Sequence, residues 1–335
     1  MKKCHLCFIA ALLFTSNAAL AAKPATGGTA PQEIFYRAPA GKGTQLVAAA
    51  RDGSNVTSLF TGTGSLYFNF DVGSQPANTS GMIVIGTRSG ELQLLTYAKN
   101  SSGVLARTNL RTLVSGISSG AAVDLSPDGD RVAYRAADGT HLRVYTISNG
   151  SDVEWSSGPW AWDFAWARGG ASIALLEQSA PDGRSHLYEV TSPGQRIEIL
   201  NLRQMDRVEV SRTDGNVLLL SYNSEDGQQT FVGTWRMPTT ALDGTTTSGG
   251  WVNPAIVGGG ATFVSRGVLS CDDSYLFYGG SGPAGQQIWF TKTLPSGSSV
   301  QITKAGSNAE PQNWSSCAPA ATSTSNAFRF REVPQ

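Results

Sequence analysis

Val132-Ala-Tyr-Arg-Ala136, the turn Asp138-Gly139, His141-Leu-Arg-Val-Tyr-Thr-Ile147, the turn Asn149-Gly150, and Asp152-Val-Glu-Trp155 form one continuous unit. Apolar and polar residues alternate within each run, the period of a strand with one buried face. Asp-Gly and Asn-Gly supply the positive-φ positions that tight hairpins need. The unit therefore reads as three antiparallel strands. The same layout starts at Ile34, with turns at Gly41-Lys-Gly43 and Asp52-Gly53. Further copies begin at Ile83, Ile173, Val217 and Leu276, with turns at Ser89-Gly90, Asp182-Gly183, Asp226-Gly227 and the glycine-rich run 282–285.

A lead strand precedes several copies. These are Ala121-Ala-Val-Asp-Leu125, Asp163-Phe-Ala-Trp-Ala167, Arg207-Val-Glu-Val-Ser211 and Val268-Leu-Ser-Cys-Asp272. The first copy has none, because Lys23 to Gln32 is rich in Pro, Gly, Thr and Ala, whereas Glu310-Pro-Gln-Asn-Trp314 is left over after the last. Four short strands repeating every 40–50 residues or so define a propeller blade. The expected fold is all-β: a six-bladed β-propeller closed by the C-terminal strand pairing into blade one. Closure of this kind leaves no sheet edge unpaired at the seam. No long apolar stripe of helical period is present, which excludes a helical solenoid. The Thr/Gly-rich stretch from Thr239 to Gly250 reads as a surface insertion.

Leu125-Ser-Pro-Asp-Gly-Asp-Arg-Val-Ala-Tyr134 resembles the Ser-Pro-Asp-Gly blade motif of the TolB-like six-bladed propellers, and Asn313-Trp314-Ser315 and Leu269-Ser-Cys-Asp-Asp273 resemble degenerate copies of it. The resemblance implies architecture rather than activity, since Pro-Asp-Gly in such blades is a turn between the first two strands. It covers the propeller part only: TolB carries a further N-terminal domain, whereas blades here start close behind the leader.

The 335 residues hold 25 basic and 25 acidic side chains and are 40% hydrophobic. That is ample apolar material for a core. Balanced charge argues against a nucleic-acid partner, which requires a basic face. No internal apolar run is long enough for an integral membrane segment. Met1-Lys2-Lys3, an apolar run from Leu6 to Phe14 and Ala19-Leu20-Ala21 read as a signal peptide over residues 1–22, cleaved near Ala21/Ala22. Residues 23–335 are then a single propeller domain, periplasmic or secreted. Losing Lys2 and Lys3 from a balanced chain leaves it at −2. Cys4 and Cys7 depart with the leader, and Cys271 and Cys317 remain to pair as one disulfide in an oxidising compartment. Closing that loop would contribute about 3–4 kcal/mol by chain entropy.

Trp160-Ala-Trp-Asp-Phe-Ala-Trp166 is the most unusual segment. Strict alternation puts Trp160, Trp162, Phe164 and Trp166 on one face. Such a face serves packing between blades, with Trp160 and Trp162 extending beyond it as an aromatic shelf at the channel mouth. The opposite faces of the lead strands put Asp124, Asp163, Arg207, Glu209 and Asn313 toward the channel, with Arg266 a further candidate. Gly280-Ser-Gly-Pro-Ala-Gly285 has dinucleotide-fingerprint spacing, but a strand follows where a helix is required. Gly116-Ile-Ser-Ser-Gly120 has nucleophile-elbow spacing, again without the helix. His141 and His186 each open a strand, and no metal-ligand spacing occurs. No catalytic residue, cofactor or metal is assigned. The expectation is a non-enzymatic binding or scaffold propeller that recognises a segment of an envelope or extracellular protein at the channel mouth. The alternatives are a carbohydrate-active or peptidase-associated propeller enzyme, and a structural component of a cell-surface assembly.

Overall fold

The computed structural model describes residues 33–40, 43–50, 55–62, 69–72, 80–158, 160–178, 182–211, 213–240, 246–258, 264–269, 273, 275–282, 285–293, 300–301 and 310–314. The chain begins with β1 (Glu33–Ala40), β2 (Gly43–Ala50) and β3 (Thr57–Gly62). Next comes the sheet of β4 (Asn69–Val72), β5 (Ser80–Gly86), β6 (Glu91–Lys99) and β7 (Leu105–Ser115), followed by β8 (Val123–Leu125), β9 (Arg131–Arg135), β10 (His141–Thr146) and β11 (Asp152–Ser157). The next sheet has β12 (Ala161–Ala167), β13 (Ser172–Glu177), β14 (Ser185–Ser192) and β15 (Gln195–Leu202). Strands β16 (Met205–Val210), β17 (Val217–Asn223) and β18 (Thr230–Arg236) lead to a small hairpin of β19 (Thr239–Thr240) and β20 (Thr246–Thr247) before β21 (Gly250–Gly258) completes their sheet. The Thr/Gly-rich stretch is thus an excursion between two blade strands. The last sheet has β22 (Val264–Leu269), β23 (Tyr275–Gly282), β24 (Gly285–Lys292) and β25 (Val300–Gln301), and β26 (Glu310–Trp314) follows.

The third of these units shows why the sequence folds so. Gly129, Gly139 and Gly150 all lie at φ between 73° and 77°. Each closes a turn that a side chain would strain. In the Ser-Pro-Asp-Gly turn, the Gly129 amide donates to the Ser126 carbonyl (2.8 Å) and the Arg131 amide to Ser126 Oγ (2.9 Å). Arg131 also pairs with Asp128 at 3.1 Å. The motif is structural, as its resemblance to a blade turn implied.

Each sheet packs face to face on the next. Phe35, Leu46 and Leu59 meet Phe70, Ile83, Ile85 and Leu95. Val84 and Leu92 meet Val123, Val132 and Tyr134. Leu142 and Val144 meet Phe164, Trp166 and Ile173, and Leu176 and Leu187 meet Met205, Val208 and Leu218. Leu219 and Val232 meet Leu269 and Leu276. Burying one such aliphatic or aromatic side chain stabilises the fold by about 1.5–3 kcal/mol. The innermost strands lie side by side in the order β4, β8, β12, β16, β22, with β26 beside both β22 and β4. The molecule is an all-β propeller.

The expectation of an all-β propeller is met, but the count of six blades is corrected to five. Five four-stranded sheets are built from consecutive strands, the excursion of β19 and β20 aside; the remaining strands form a composite sheet in the order β26-β1-β2-β3. In it Ile34 stands opposite Trp314 and Phe35 opposite Asn313. The leader at residues 1–22 and both Cys271 and Cys317 lie outside the described residues. No helix among the described residues is long and apolar enough to cross a membrane. Gly282 pairs with Gly285 across the β23–β24 hairpin, as the strand reading of that glycine run required. Residues 116–120 connect β7 to β8 and are pinned by backbone bonds to Gly90 and Thr87. An elbow opening a helix is absent there.

Candidate site at one mouth of the propeller

Antiparallel meanders put the start of each innermost strand at the same end as the close of the second strand. The starts of β8, β12 and β16 and the ends of β9, β13 and β17 therefore gather on one face, and the candidate residues divide between this mouth and the strand interior below it.

The acidic residues belong to the interior. Four innermost strands repeat an apolar–acid–apolar triplet: Phe70-Asp71-Val72, Val123-Asp124-Leu125, Trp162-Asp163-Phe164 and Val208-Glu209-Val210. The acids are only 3–8% exposed. Asp71 Oδ2 accepts the Leu125 amide (2.8 Å), Asp124 Oδ2 the Trp166 amide (2.6 Å) and Asp163 Oδ2 the Val208 amide (3.0 Å). Each carboxylate thus fastens its own innermost strand to the next one. Burial, and then the charges of Asp71 and Glu209, push the Asp124 carboxyl well above the usual carboxylate range, against the opposing pull of the Trp166 amide. Asp71 was not among the sequence candidates, although its triplet matches the other three. Asn313 lies on β26, its backbone opposite Phe35.

The tryptophans divide differently from the expectation. β12 carries a register shift between Ala161 and Asp163, and this bulge turns the following residues over. Phe164 and Trp166 pack toward the β8–β11 sheet, whereas Trp162 packs toward the β16–β21 sheet. Trp166 is buried, its indole Nε1 donating to the Asp124 carbonyl (3.2 Å), with Trp155 edge-on at 5.6 Å. A single aromatic face running from Trp160 to Trp166 does not exist.

What the mouth holds is two indole–guanidinium pairs, one on either side of the start of β12. Trp160 is 38% exposed, lies against Gly139, and has the Arg135 guanidinium 5.6 Å from its ring centre. Trp162 is half-buried, its Nε1 donating to the Asp206 carbonyl (2.9 Å), with the Arg207 guanidinium 5.8 Å from its ring. Arg135 lies close enough to Asp163 and Arg207 to feel both charges. Burial and the Arg207 charge lower its proton affinity while Asp163 raises it, and the net shift is downward. Arg135 is inconspicuous in the sequence because it belongs to an ordinary alternating strand. Its signal is positional: it is the last residue of β9, beside the start of the innermost strand.

The histidines stand apart from this pair. His141 bonds Asp138 across a hairpin turn. His186 lies between Glu198 (2.9 Å) and Asp182 (3.1 Å) and stacks on Tyr188. Burial works against its protonation, but these two carboxylates outweigh it and raise its pKa. Among the described residues no group of three or more His, Cys, Asp or Glu is placed to hold a metal ion.

Sheets packed in sequence around their innermost strands, with a mouth at one end, define a β-propeller as the class of this molecule. In fold it is similar to TolB from Acinetobacter baumannii, at 14% identity and a TM-score of 0.60 over 84% of this chain and 66% of that one. It is also similar to a protein assigned as TolB in Agrobacterium tumefaciens, at 12% identity and a TM-score of 0.53 over 86% of this chain and 94% of that one. The chain spans just under two thirds of the first. Likeness at these identities is a likeness of fold. No protein-family profile matches the chain, and no curated protein matches it in sequence.

Proposed function

We propose that this protein is an exported, non-enzymatic binding propeller, soluble in the periplasm or outside the cell, that holds a segment of a partner protein at the mouth beside Trp160. In this reading β26 closes the ring through the composite sheet. The observation that carries the proposal is Trp160, a large aromatic left 38% exposed at the start of an innermost strand with the Arg135 guanidinium beside it. Exposed Trp and Arg side by side are the residues most enriched where proteins bind one another. A rigid ring of sheets holds such a pair in place at little cost in entropy. Trp162 and Arg207 form the second wall, and the acids of the innermost strands hold the walls in register. The likeness to TolB supports the scaffold.

Trp160→Ala is expected to reduce recovery of a specific partner from envelope extract by tenfold or more, since an interface hot spot contributes about 2 kcal/mol or more. Ile197→Asp, on the outer strand β15 where Ile197 is 65% exposed, is expected to leave recovery unchanged. Equal recovery with both variants would contradict the mouth as the binding site.

A further inference from the structure

Six described arginines are paired with carboxylates. Arg131, Arg143, Arg168, Arg184, Arg196 and Arg236 each have a carboxylate oxygen within 3.1 Å. Arg135 and Arg207 have none among the described residues. The Arg135 Nε is buried without a hydrogen-bond partner, and one terminal nitrogen reaches the Ala161 carbonyl only at 3.4 Å. Arg207 makes a single bond of the same length, to the Asp206 carbonyl. The nearby acids are engaged elsewhere: Asp163 accepts the Val208 amide, and Asp206 Oδ1 accepts from Gln204 at 3.2 Å and Gln178 at 3.4 Å. Asp163 offsets part of the Arg135 charge, but its carboxyl is bonded to the Val208 amide and leaves the guanidinium donors unspent, which is costly in a partly dehydrated setting. An arriving anion removes that cost. The guanidinium fork matches a carboxylate in shape, with two parallel N–H donors for two oxygens.

We propose that Arg135 and Arg207 form a carboxylate-binding site at the mouth, and that the protein segment it takes is acidic, placing a carboxylate between the guanidinium groups and a flat or apolar side chain on Trp160. This rests on the mouth as binding site and adds the chemistry of its ligand. The carboxylate has two sources, a chain terminus or an Asp or Glu side chain. The Trp160 indole supplies the second contact, because its exposed ring offers apolar surface beside the charge.

The test is calorimetric titration of the mature protein with short peptides. One pair is acetyl-Ala-Ala-Phe as free acid and as amide; the other is acetyl-Ala-Glu-Phe-Ala-amide and its Gln counterpart. In at least one pair the carboxylate form is expected to bind about 10- to 100-fold more tightly, the range of a charge-assisted bond. Preference within the first pair identifies a chain terminus, and within the second a side chain. Arg135→Gln and Arg207→Gln should each abolish the preference, Arg135→Lys should retain part of it, and rising salt should weaken it. Arg107→Gln, the same charge change on the exposed strand β7, should leave it intact. Thermal melts of each variant separate loss of the site from loss of the fold. No carboxylate preference at millimolar peptide, or a preference that survives both Arg→Gln changes, overturns the proposal, as does binding of a uronic-acid oligosaccharide with no peptide bound. If partner recovery still depends on Trp160 while the Arg variants behave as wild type, the carboxylate site fails and the mouth reading stands.

Discussion

Trp166→Ala lowers the unfolding free energy by about 3–5 kcal/mol, the cost of emptying a buried aromatic site. Trp166 is 4% exposed and sits between two blades, against Phe164 and Ile173 of its own sheet and Leu142 and Val144 of the one before. Its ring is edge-on to Trp155, and the Arg131 guanidinium lies 4.5 Å from its centre. Removing it opens a cavity at an inter-blade contact and leaves the Asp124 carbonyl without its indole donor. Rigid sheets on both sides cannot collapse into the gap, which places the cost in the upper part of the range for large-to-small changes. Trp160→Ala, six residues earlier, should cost about 1 kcal/mol or less, because its ring is 38% exposed. Denaturant unfolding followed by circular dichroism reads both. Similar midpoints for the two variants would show that the bulge in β12 does not separate a packing tryptophan from a surface one.

The second large effect concerns the acid on β8. At pH 7, Asp124→Ala should destabilise the protein by about 1–3 kcal/mol, since the Trp166 amide then points into the interior with no acceptor. Asp124→Asn keeps an acceptor for that amide and a donor for Asp71, and should stay within about 1 kcal/mol of wild type or exceed it. The reason is the raised proton affinity of Asp124. Its folded-state pKa lies above the unfolded value near 3.8, so the folded protein retains a proton that the unfolded chain releases. Stability from this group is complete below about pH 4 and is lost as pH rises through the folded-state value. Asn carries no such penalty, and the variant should therefore gain on wild type as pH rises above about 4. Unfolding midpoints at several pH values read this directly. An Asn variant as unstable as the Ala variant, with no trend in pH, would contradict the account of the inner acids.

What the sequence discloses and what it conceals have physical causes. Turn chemistry is local, so Asp138-Gly139, Asn149-Gly150 and Asp182-Gly183 mark hairpins without reference to the rest of the chain. The pairing of β26 with β1 follows from a surplus lead strand at one end and a missing one at the other. The bulge at the start of β12 is concealed, because one additional residue reverses every later face while leaving composition and alternation unchanged. That is why Trp160, Trp162 and Trp166 look equivalent in sequence and take three different environments. Asp124 and Asp163 stand out as acids amid apolar residues, and alternation alone directs them toward the channel. Their partners are backbone amides of the following blade, about 40 residues away, and no side-chain pattern reveals a backbone donor. Arg207 was visible as a charge on a lead strand. Arg135 acquires its meaning only when the end of β9 is placed beside the start of β12.

The mouth as a binding site is tested most directly by photo-crosslinking. A benzophenone amino acid replaces Trp160 in one version of the protein and Ile197 in another, each expressed and exported in its natural host. The account predicts a discrete protein adduct from position 160 and none from position 197, with the crosslinked partner peptide carrying an acidic side chain or a chain terminus near the attachment point. Adducts from position 197 alone, or from neither position, would contradict it.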